Sequence, residues 1–543
     1  MDKFNMNRNN TWWQKYRHAK NHHSRLSMEM VLRKSFAQVL RDYVQHCSLA
    51  GLKQVCERDI PIRHRIFWTF LTALTFGAMI YMLMNIWKAT LSNPLIVTMD
   101  SSTYPIAEID FPAIAVCNIN RISMKSVKER GATMYQNKKR LHPNTTLNDF
   151  EWYLMQTGRL LDYSYNETLR LRLLKFTPQN AEHSQKIIEG MKGLAPSCEE
   201  MLLRCSWDGQ EVNCTDIFTM RRTVLGHCCA FNYVLEYDSM GRPDKSKDLI
   251  GNVMRQKQAG MHHGLVVVLD PLLEDYAYPL RNVEGFDIFL FDPTHFADPS
   301  GGRVLQRVSQ PNEAMVLELR SVRQIATAEV RKYPLSIRKC LFHDEVPEHF
   351  GSMYSYSACI ARCRIKTIRS LCKCTPYYLP AGDNGETVCS LLDLWCLNKY
   401  REKLLYFYPF NSNAKFGLEM ERLDSLNCPE CLPDCELTKH STKSSVIPFR
   451  DRGLGDQAVL PDLAKGLNVT ELTNVAMVYI YQPTNDGILD RLDVVSYWYE
   501  ILSNIGGFAG ILVGFSIISA VEIFYYFVIR FVQVLCSNWK LYY

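Results

Sequence analysis

The chain is 543 residues long, 47% hydrophobic and 22% charged, with a formal net charge of +6. These values exclude a disordered chain and leave room for two to four domains at roughly 100–200 residues each. Residues 1–65 carry 13 Lys/Arg against 5 Asp/Glu, so the basic balance belongs to an N-terminal arm, and no nucleic-acid partner is expected of a folded surface.

After the arm, Ile66 to Trp87 form 22 consecutive uncharged residues, about 33 Å as a helix and enough to cross a bilayer. The run begins too late and is too long for a signal peptide. The sequence therefore divides into an arm (1–65), a first transmembrane helix (66–87), a cysteine-rich domain (88–497), a second span (498–531) and a short tail (532–543).

Within 88–497 the pattern is α+β. Residues 105–118, 264–269, 286–291 and 475–481 read as strands. Residues 123–195 read as helices with polar loops, and further helices are expected over 356–371 and 391–407. Sixteen of the 19 cysteines lie here: Cys117, Cys198, Cys205, Cys214, Cys228, Cys229, Cys340, Cys359, Cys363, Cys372, Cys374, Cys389, Cys396, Cys428, Cys431 and Cys435. An even number this dense points to disulfides in an oxidising compartment. The sequons at Asn144, Asn166 and Asn468 suit glycosylation on that side; the one at Asn213 is weakened by Cys214.

The flanks set orientation. Arg58, Arg63 and Arg65 precede the first span, and Arg530 and Lys540 follow the second. Lys/Arg excess marks the cytoplasmic side, so both termini are expected inside and residues 88–497 outside a plasma membrane.

No HExxH, GxSxG or Walker loop is present, and nothing assembles into an active site. Neither an enzyme nor a metal or cofactor site is expected. Cys428-Pro-Glu-Cys431 has redox or zinc spacing but reads better as structural disulfides. His262-His263, Glu274-Asp275 and Asp292 read as solvated groups rather than metal, proton or calcium sites.

The second span carries the chemistry. Between Glu500 and Arg530 lie 29 residues with one charge, Glu522. As one helix they would reach about 44 Å, so the span must tilt, break, or both. Gly506, Gly510 and Gly514 recur every four residues and line one stripe; Ser519 and Glu522 share a face. Serine hydroxyls, carbonyls freed by a glycine break and an intramembrane carboxylate suit a cation pathway. The alternative is a packing stripe with Glu522 bonded to a neighbouring helix. Two spans cannot enclose a pore, so a channel requires an oligomer.

These segments resemble the degenerin/epithelial sodium channel family, its insect pickpocket branch in particular. Phe111-Pro-Ala-Ile-Ala-Val-Cys-Asn118 is similar to the family's FPAVTxCN strand. Cys205-Ser-Trp-Asp-Gly, Cys214 and Gly226-His-Cys-Cys-Ala-Phe-Asn232 are similar to its CxWxG…C…GxCxxFN pattern. Tyr354, Cys359, Cys363, Cys372-Lys-Cys-Thr-Pro376 and Pro380 resemble its cysteine signature, and Leu502-Ser-Asn-Ile-Gly-Gly507…Gly514-Phe-Ser516…Glu522 its pore segment.

The resemblance implies a trimeric, usually sodium-selective and often amiloride-blocked channel whose ectodomain has palm, finger, knuckle, β-ball and thumb parts. It implies a filter at Gly514, Phe515 and Ser516, a small-residue gating position at Ser503, a blocker site beside Gly506 and Gly507, and permeant Na+ with no cofactor. The partners implied are membrane lipid, related subunits in a homo- or heterotrimer, and an extracellular ligand or mechanical stimulus, in sensory or epithelial cells. The family's cytoplasmic His-Gly gating pair is Ala50-Gly51 here, Phe515 stands where many members have Ala or Ser, and Asn504 replaces a common Asp. The competing readings are a two-span receptor without a pore, an ATP-gated type of two-span channel, and an accessory subunit of a heteromeric channel.

Overall fold

A computed structural model describes residues 30–56, 61–92, 94–136, 145–173, 184–234, 253–301, 303–345, 353–380, 387–408, 419–449 and 474–542. The chain divides into two units: one made of both ends, up to Ile96 and from Val494, and a central one, Val97–Asp493. Asn144 and Asn468 lie outside the described residues.

The terminal unit begins with α1 (30–46), α2 (Leu52–Cys56) and α3 (Ile62–Ser92). In α1, Val31, Ser35, Val39 and Tyr43 are buried, as is Cys47 just after it, a spacing of four that gives one face of a helix. Within α3, Ile62–Lys88 is long and apolar enough to cross a membrane, so the helix overruns the apolar run 66–87 at both ends.

The central unit contains two sheets. Its strands are β1 (Leu95–Pro105), β2 (Ala113–Asn118), β3 (Leu202–Trp207), β4 (Gln210–Val212), β5 (Phe218–Thr223), β6 (Gly226–Phe231), β7 (Leu265–Leu269), β8 (Phe286–Phe291), β9 (Leu305–Ser309), β10 (Glu313–Ala326), β11 (Leu437–Pro448), β12 (Ala476–Tyr481) and β13 (Asp486–Val494). The eight-stranded sheet runs β1-β13-β10-β12-β7-β3-β4, with β11 also paired to β10; the five-stranded sheet runs β5-β6-β2-β8-β9.

Strand alternation builds the core. Ile114 and Val116 of β2 and Ile288 and Leu290 of β8 pack with Val267, Leu317 and Val478 of the large sheet. The alternate residues, Ala113, Ala115, Phe289 and Phe291, face the opposite way into a helical layer. The small sheet is thus buried on both faces, which is why β2 and β8 carry apolar residues at alternating and intervening positions alike, Asp287 of β8 being paired with Arg121. The helical layer includes α4 (Met124–Gln136), α5 (Leu147–Gln156), α6 (Arg159–Asp162), α7 (Glu167–Leu173), α8 (Ser184–Leu194) and α9 (Tyr356–Cys372).

Three sequence expectations change. The single strand expected over 105–118 is divided: β1 ends at Pro105, Ile106–Glu108 form a 3-10 turn, and β2 begins after Pro112, since prolines cannot donate to a ladder. The helix expected over 391–407 is three short pieces, Leu391–Asp393, Leu394–Lys399 and Arg401–Leu405. Asp292 does not sit on a solvated face; it is half-buried and hydrogen-bonded by Thr294.

The sixteen cysteines form eight disulfides. Cys117–Cys228, Cys198–Cys229 and Cys205–Cys214 tie the strands; Cys340–Cys435, Cys359–Cys431, Cys363–Cys428, Cys372–Cys396 and Cys374–Cys389 staple the segment around α9. Cys428 and Cys431 bond two cysteines one turn apart on α9, so neither is a redox dithiol or zinc pair.

The terminal unit ends in an interrupted helix: α10 (Trp498–Val513), α11 (Ile517–Phe524), a π-helical stretch Tyr525–Arg530, and α12 (Phe531–Tyr542). Ile517–Trp539 is long and apolar enough to cross a membrane, so helix continues through the stretch assigned from sequence to the tail. α1 lies along it: Tyr43 stacks edge-on with Tyr526 and Phe527, and Asn538 donates to Ser35 at 2.9 Å.

Two buried polar groups generate predictions. Arg364, 1% exposed, pairs with Asp298 and Ser300. Arg364→Met strands the Asp298 carboxylate, and a loss of about 3–5 kcal/mol is expected, read as a lower thermal midpoint; Arg364→Met with Asp298→Leu regains part of it. His295 lies 3.4 Å from Asp434, with both side chains at most 2% exposed. Burial pulls the His295 pKa down, but the bond to Asp434 and the charge of Asp292 outweigh it and hold it above the usual value. Its stabilisation is present below the unfolded pKa of about 6.5 and lost as pH rises through the folded one. The midpoint gap between wild type and His295→Gln should therefore be larger at about pH 6 than at about pH 8.

Candidate pore and gating site

Glycine chemistry creates the break. Gly514 takes a left-handed conformation, φ 69°, which favours glycine. Its N–H reaches the Gly510 carbonyl at 3.0 Å, the 5→1 bond of an αL cap, and the Phe515 N–H reaches the Ala509 carbonyl at 3.1 Å. Ser516 then opens α11. Its hydroxyl accepts from the Ser519 N–H at 3.3 Å, and the Ser519 hydroxyl accepts from the Ser516 N–H at 3.1 Å. This reciprocal cap satisfies the N–H groups of Ser516 and Ser519. Among the described residues, the carbonyls of Gly514 and Phe515 accept no hydrogen bond. The break therefore exposes oxygens, at the negative end of the α10 dipole.

The 48–51 segment of the N-terminal arm closes on this break. The Ser48 N–H donates to Glu522 Oε2 at 3.0 Å, and the Ser48 and Ser519 hydroxyls are 2.6 Å apart. The Ala50 N–H donates to the Val513 carbonyl at 2.9 Å, one of the acceptors that a helix end leaves open. Gly51 makes this path possible. It has φ 85°, and a Cβ there would lie 2.5 Å from Thr72 Oγ1 of α3. The 48–51 loop is thus threaded between the first span and the break in the second.

The residues singled out from sequence fall into two groups. Ala50, Gly51, Gly514, Ser519 and Glu522 meet at the break, with Phe515 and Ser516 in its turn. Ser503, Asn504, Gly506, Gly507 and Gly510 lie along exposed α10, with Ser503 about 16 Å above Gly514 by helix rise. Nothing lies within 4 Å of a Cβ built on Gly506 or Gly507. Ser503, Gly507, Gly510 and Gly514 share one face, while Ala509 and Val513, which α10 buries, lie on another. Ser48, Thr72 and the Val513 carbonyl escaped the sequence reading. The carboxylate's partner is a backbone N–H 474 residues away, for which no side-chain pattern exists; the signal available was only that Glu522 needs a partner.

Residues 43–526 match the family model described as amiloride-sensitive sodium channel. The chain belongs to this family, the degenerin/epithelial sodium channels. It is 25% identical over 515 residues to pickpocket protein 28 of Drosophila melanogaster, covering 90% of this chain and 78% of that protein. It is 22% identical over 522 residues to sodium channel protein Nach of the same organism, covering 92% and 88%. It is 23% identical over 513 residues to the bile acid-sensitive ion channel of Mus musculus, covering 93% and 89%.

Members of this family are trimeric cation channels, not enzymes, and need no cofactor. The chain is accordingly a membrane protein in which two transmembrane helices flank a disulfide-rich extracellular domain.

The role of Gly51 is testable through Cys47, which is buried beside the loop. With Cys56 and Cys536 changed to Ser, Gly51→Val should speed labelling of Cys47 by a thiol reagent roughly 5- to 30-fold. That is the factor expected from about 1–2 kcal/mol of left-handed strain alone.

Proposed function

We propose that the protein is a subunit of a gated, sodium-selective, amiloride-sensitive cation channel of the plasma membrane in sensory or epithelial cells, with both termini cytoplasmic. The observation that carries this reading is the break at Gly514–Ser516 in a transmembrane helix, where, among the described residues, the carbonyls of Gly514 and Phe515 accept no hydrogen bond and the Ser516 hydroxyl caps the helix that follows. Three such breaks around an axis would form a ring of hard oxygens able to replace part of a sodium ion's water shell. Gly514, Phe515 and Ser516 are then the filter, with the Phe515 carbonyl toward the ion and its ring outward.

Ser503 is the position where bulk holds the pore open, Asn504 lies near its outer mouth, and Gly506 and Gly507 border the blocker site. The loop containing Ala50 and Gly51 is the inner part of the gate. The glycosylated positions are Asn144, Asn166 and Asn468; Asn166 is exposed, with its carbonyl oxygen capping α7 at 2.8 Å. An extracellular ligand or a mechanical stimulus opens the channel. The trimer is homomeric or is built with related subunits.

A second reading, an accessory subunit of a heteromeric channel, is favoured by Ala50 where the family carries histidine. Whole-cell recording from cells expressing Ser503→Val separates the two. A pore-forming subunit is expected to carry a steady inward current that is lost when external sodium is replaced by a large organic cation and reduced by amiloride. No current, with the protein shown at the surface, sinks the homomeric pore. Current restored by a related subunit then supports the accessory reading, and none with any such subunit supports a receptor without a pore.

A further inference from the structure

Helices α4, α5 and α8 and the turn at Ser390 and Leu391 line a partly open cavity of about 540 Å³, a volume that holds small organic ligands. Its walls are mainly apolar, with Met134, Leu154, Leu160, Ile187, Met191 and Leu391 among them. Three of its hydroxyls are already committed. Thr133 donates to the Glu129 carbonyl at 3.0 Å, Thr157 to the Leu154 carbonyl at 2.6 Å, and Ser390 to the Asp393 carboxylate at 2.9 Å.

Arg130 is different. It lines the cavity half-buried and, among the described residues, forms no ion pair with a carboxylate. Its guanidinium lies across α8 at a glycine: Nη2 is 1.7 Å from where a Cβ on Gly193 would sit. Any other residue at 193 would displace it. One turn away, Gly190 lines the same cavity, and a Cβ there meets nothing within 4 Å.

We propose that this cavity binds a small amphipathic organic anion, with an aromatic or aliphatic body among the apolar walls and a carboxylate or sulfonate on Arg130. An apolar chamber with a cation that no carboxylate among the described residues pairs selects for both properties together. The apolar body gains by leaving water, and the anion supplies a charge-assisted partner for the guanidinium. A neutral apolar molecule would fill the volume without that partner. The occupant would also bridge two parts of the domain, because Ser390 follows the Cys374–Cys389 disulfide while α4, α5 and α8 form the opposite walls. Binding therefore favours the conformation in which these parts are packed. The site lies wholly within the central unit and does not depend on the channel reading.

The test uses the full chain in lipid nanodiscs and a matched pair of fluorescent probes. One is 8-anilinonaphthalene-1-sulfonate; the other is N-phenyl-1-naphthylamine, the same body without the charge. Gly190→Trp fills the cavity from α8 and Leu391→Trp from the opposite wall, and either serves as the background for lipid partitioning.

Wild type is expected to bind the sulfonate saturably above that background, and both tryptophan variants to abolish it. Arg130→Gln should weaken the sulfonate about 10- to 100-fold while leaving the neutral probe within about twofold. Gly193→Ala, which keeps the charge but displaces it, should weaken the sulfonate in the same direction. The proposal is overturned if wild type shows no saturable component, if filling the cavity changes nothing, or if Arg130→Gln affects both probes equally or neither. Thermal midpoints close to wild type confirm that the variants are folded; if one tryptophan variant fails to fold, the other decides.

Discussion

A transmembrane helix that breaks must satisfy the backbone groups it frees, because lipid offers no water to do so. At Gly514–Ser516 this is done in three ways. Serines 516 and 519 cap each other's N–H groups, the Ala50 N–H takes the Val513 carbonyl, and the Ser48 N–H takes the Glu522 carboxylate. Without the arm, a carboxylate and a helix-end carbonyl would sit unpaired near the middle of the second span. With it, the open acceptors among the described residues include the carbonyls of Gly514 and Phe515 in the turn. The arm thereby couples the start of the chain to its last helix, and this coupling rests on two left-handed glycines, Gly51 and Gly514.

The extracellular domain meets a different constraint. Its five-stranded sheet is buried on both faces, so its core is generous, but the polypeptide around α9 has few strands to hold it. Five disulfides take that role, closing loops from 15 to 95 residues. Constraining loops of such length lowers the entropy of the unfolded chain by an amount worth several kcal/mol for each bond in the loop-closure picture. Buried charge pairs such as Arg121–Asp287 and Arg364–Asp298 add geometric demands rather than obvious stability, since each buried ion loses its hydration.

Legibility in the sequence followed local signal strength. The 286–291 strand and the first span were readable because each is dominated by apolar residues, with Asp287 the one charge in the strand. The strands β10 and β11 were not, although they pair from Glu313 with Pro448 to Gln324 with Leu437. β11 is mostly polar and exposed, so its strand state comes from the ladder it makes with a distant segment and not from its own pattern. Cys428 and Cys431 illustrate the same limit: their spacing admits redox, zinc or structural roles, and only the positions of Cys359 and Cys363 one turn apart on α9 select among them.

Composition and order alone determined that the chain is a two-span membrane protein with an oxidised, cysteine-rich domain between the spans, and that the second span is too long and too rich in glycine to be one straight helix. These follow from hydropathy, charge and the length of a helix, which are local or additive properties. The partner of Glu522, the disulfide connectivity and the cavity beneath Arg130 were decided only by tertiary structure. Each depends on which distant backbone or side chain arrives within a few ångströms, and no local pattern encodes such an arrival.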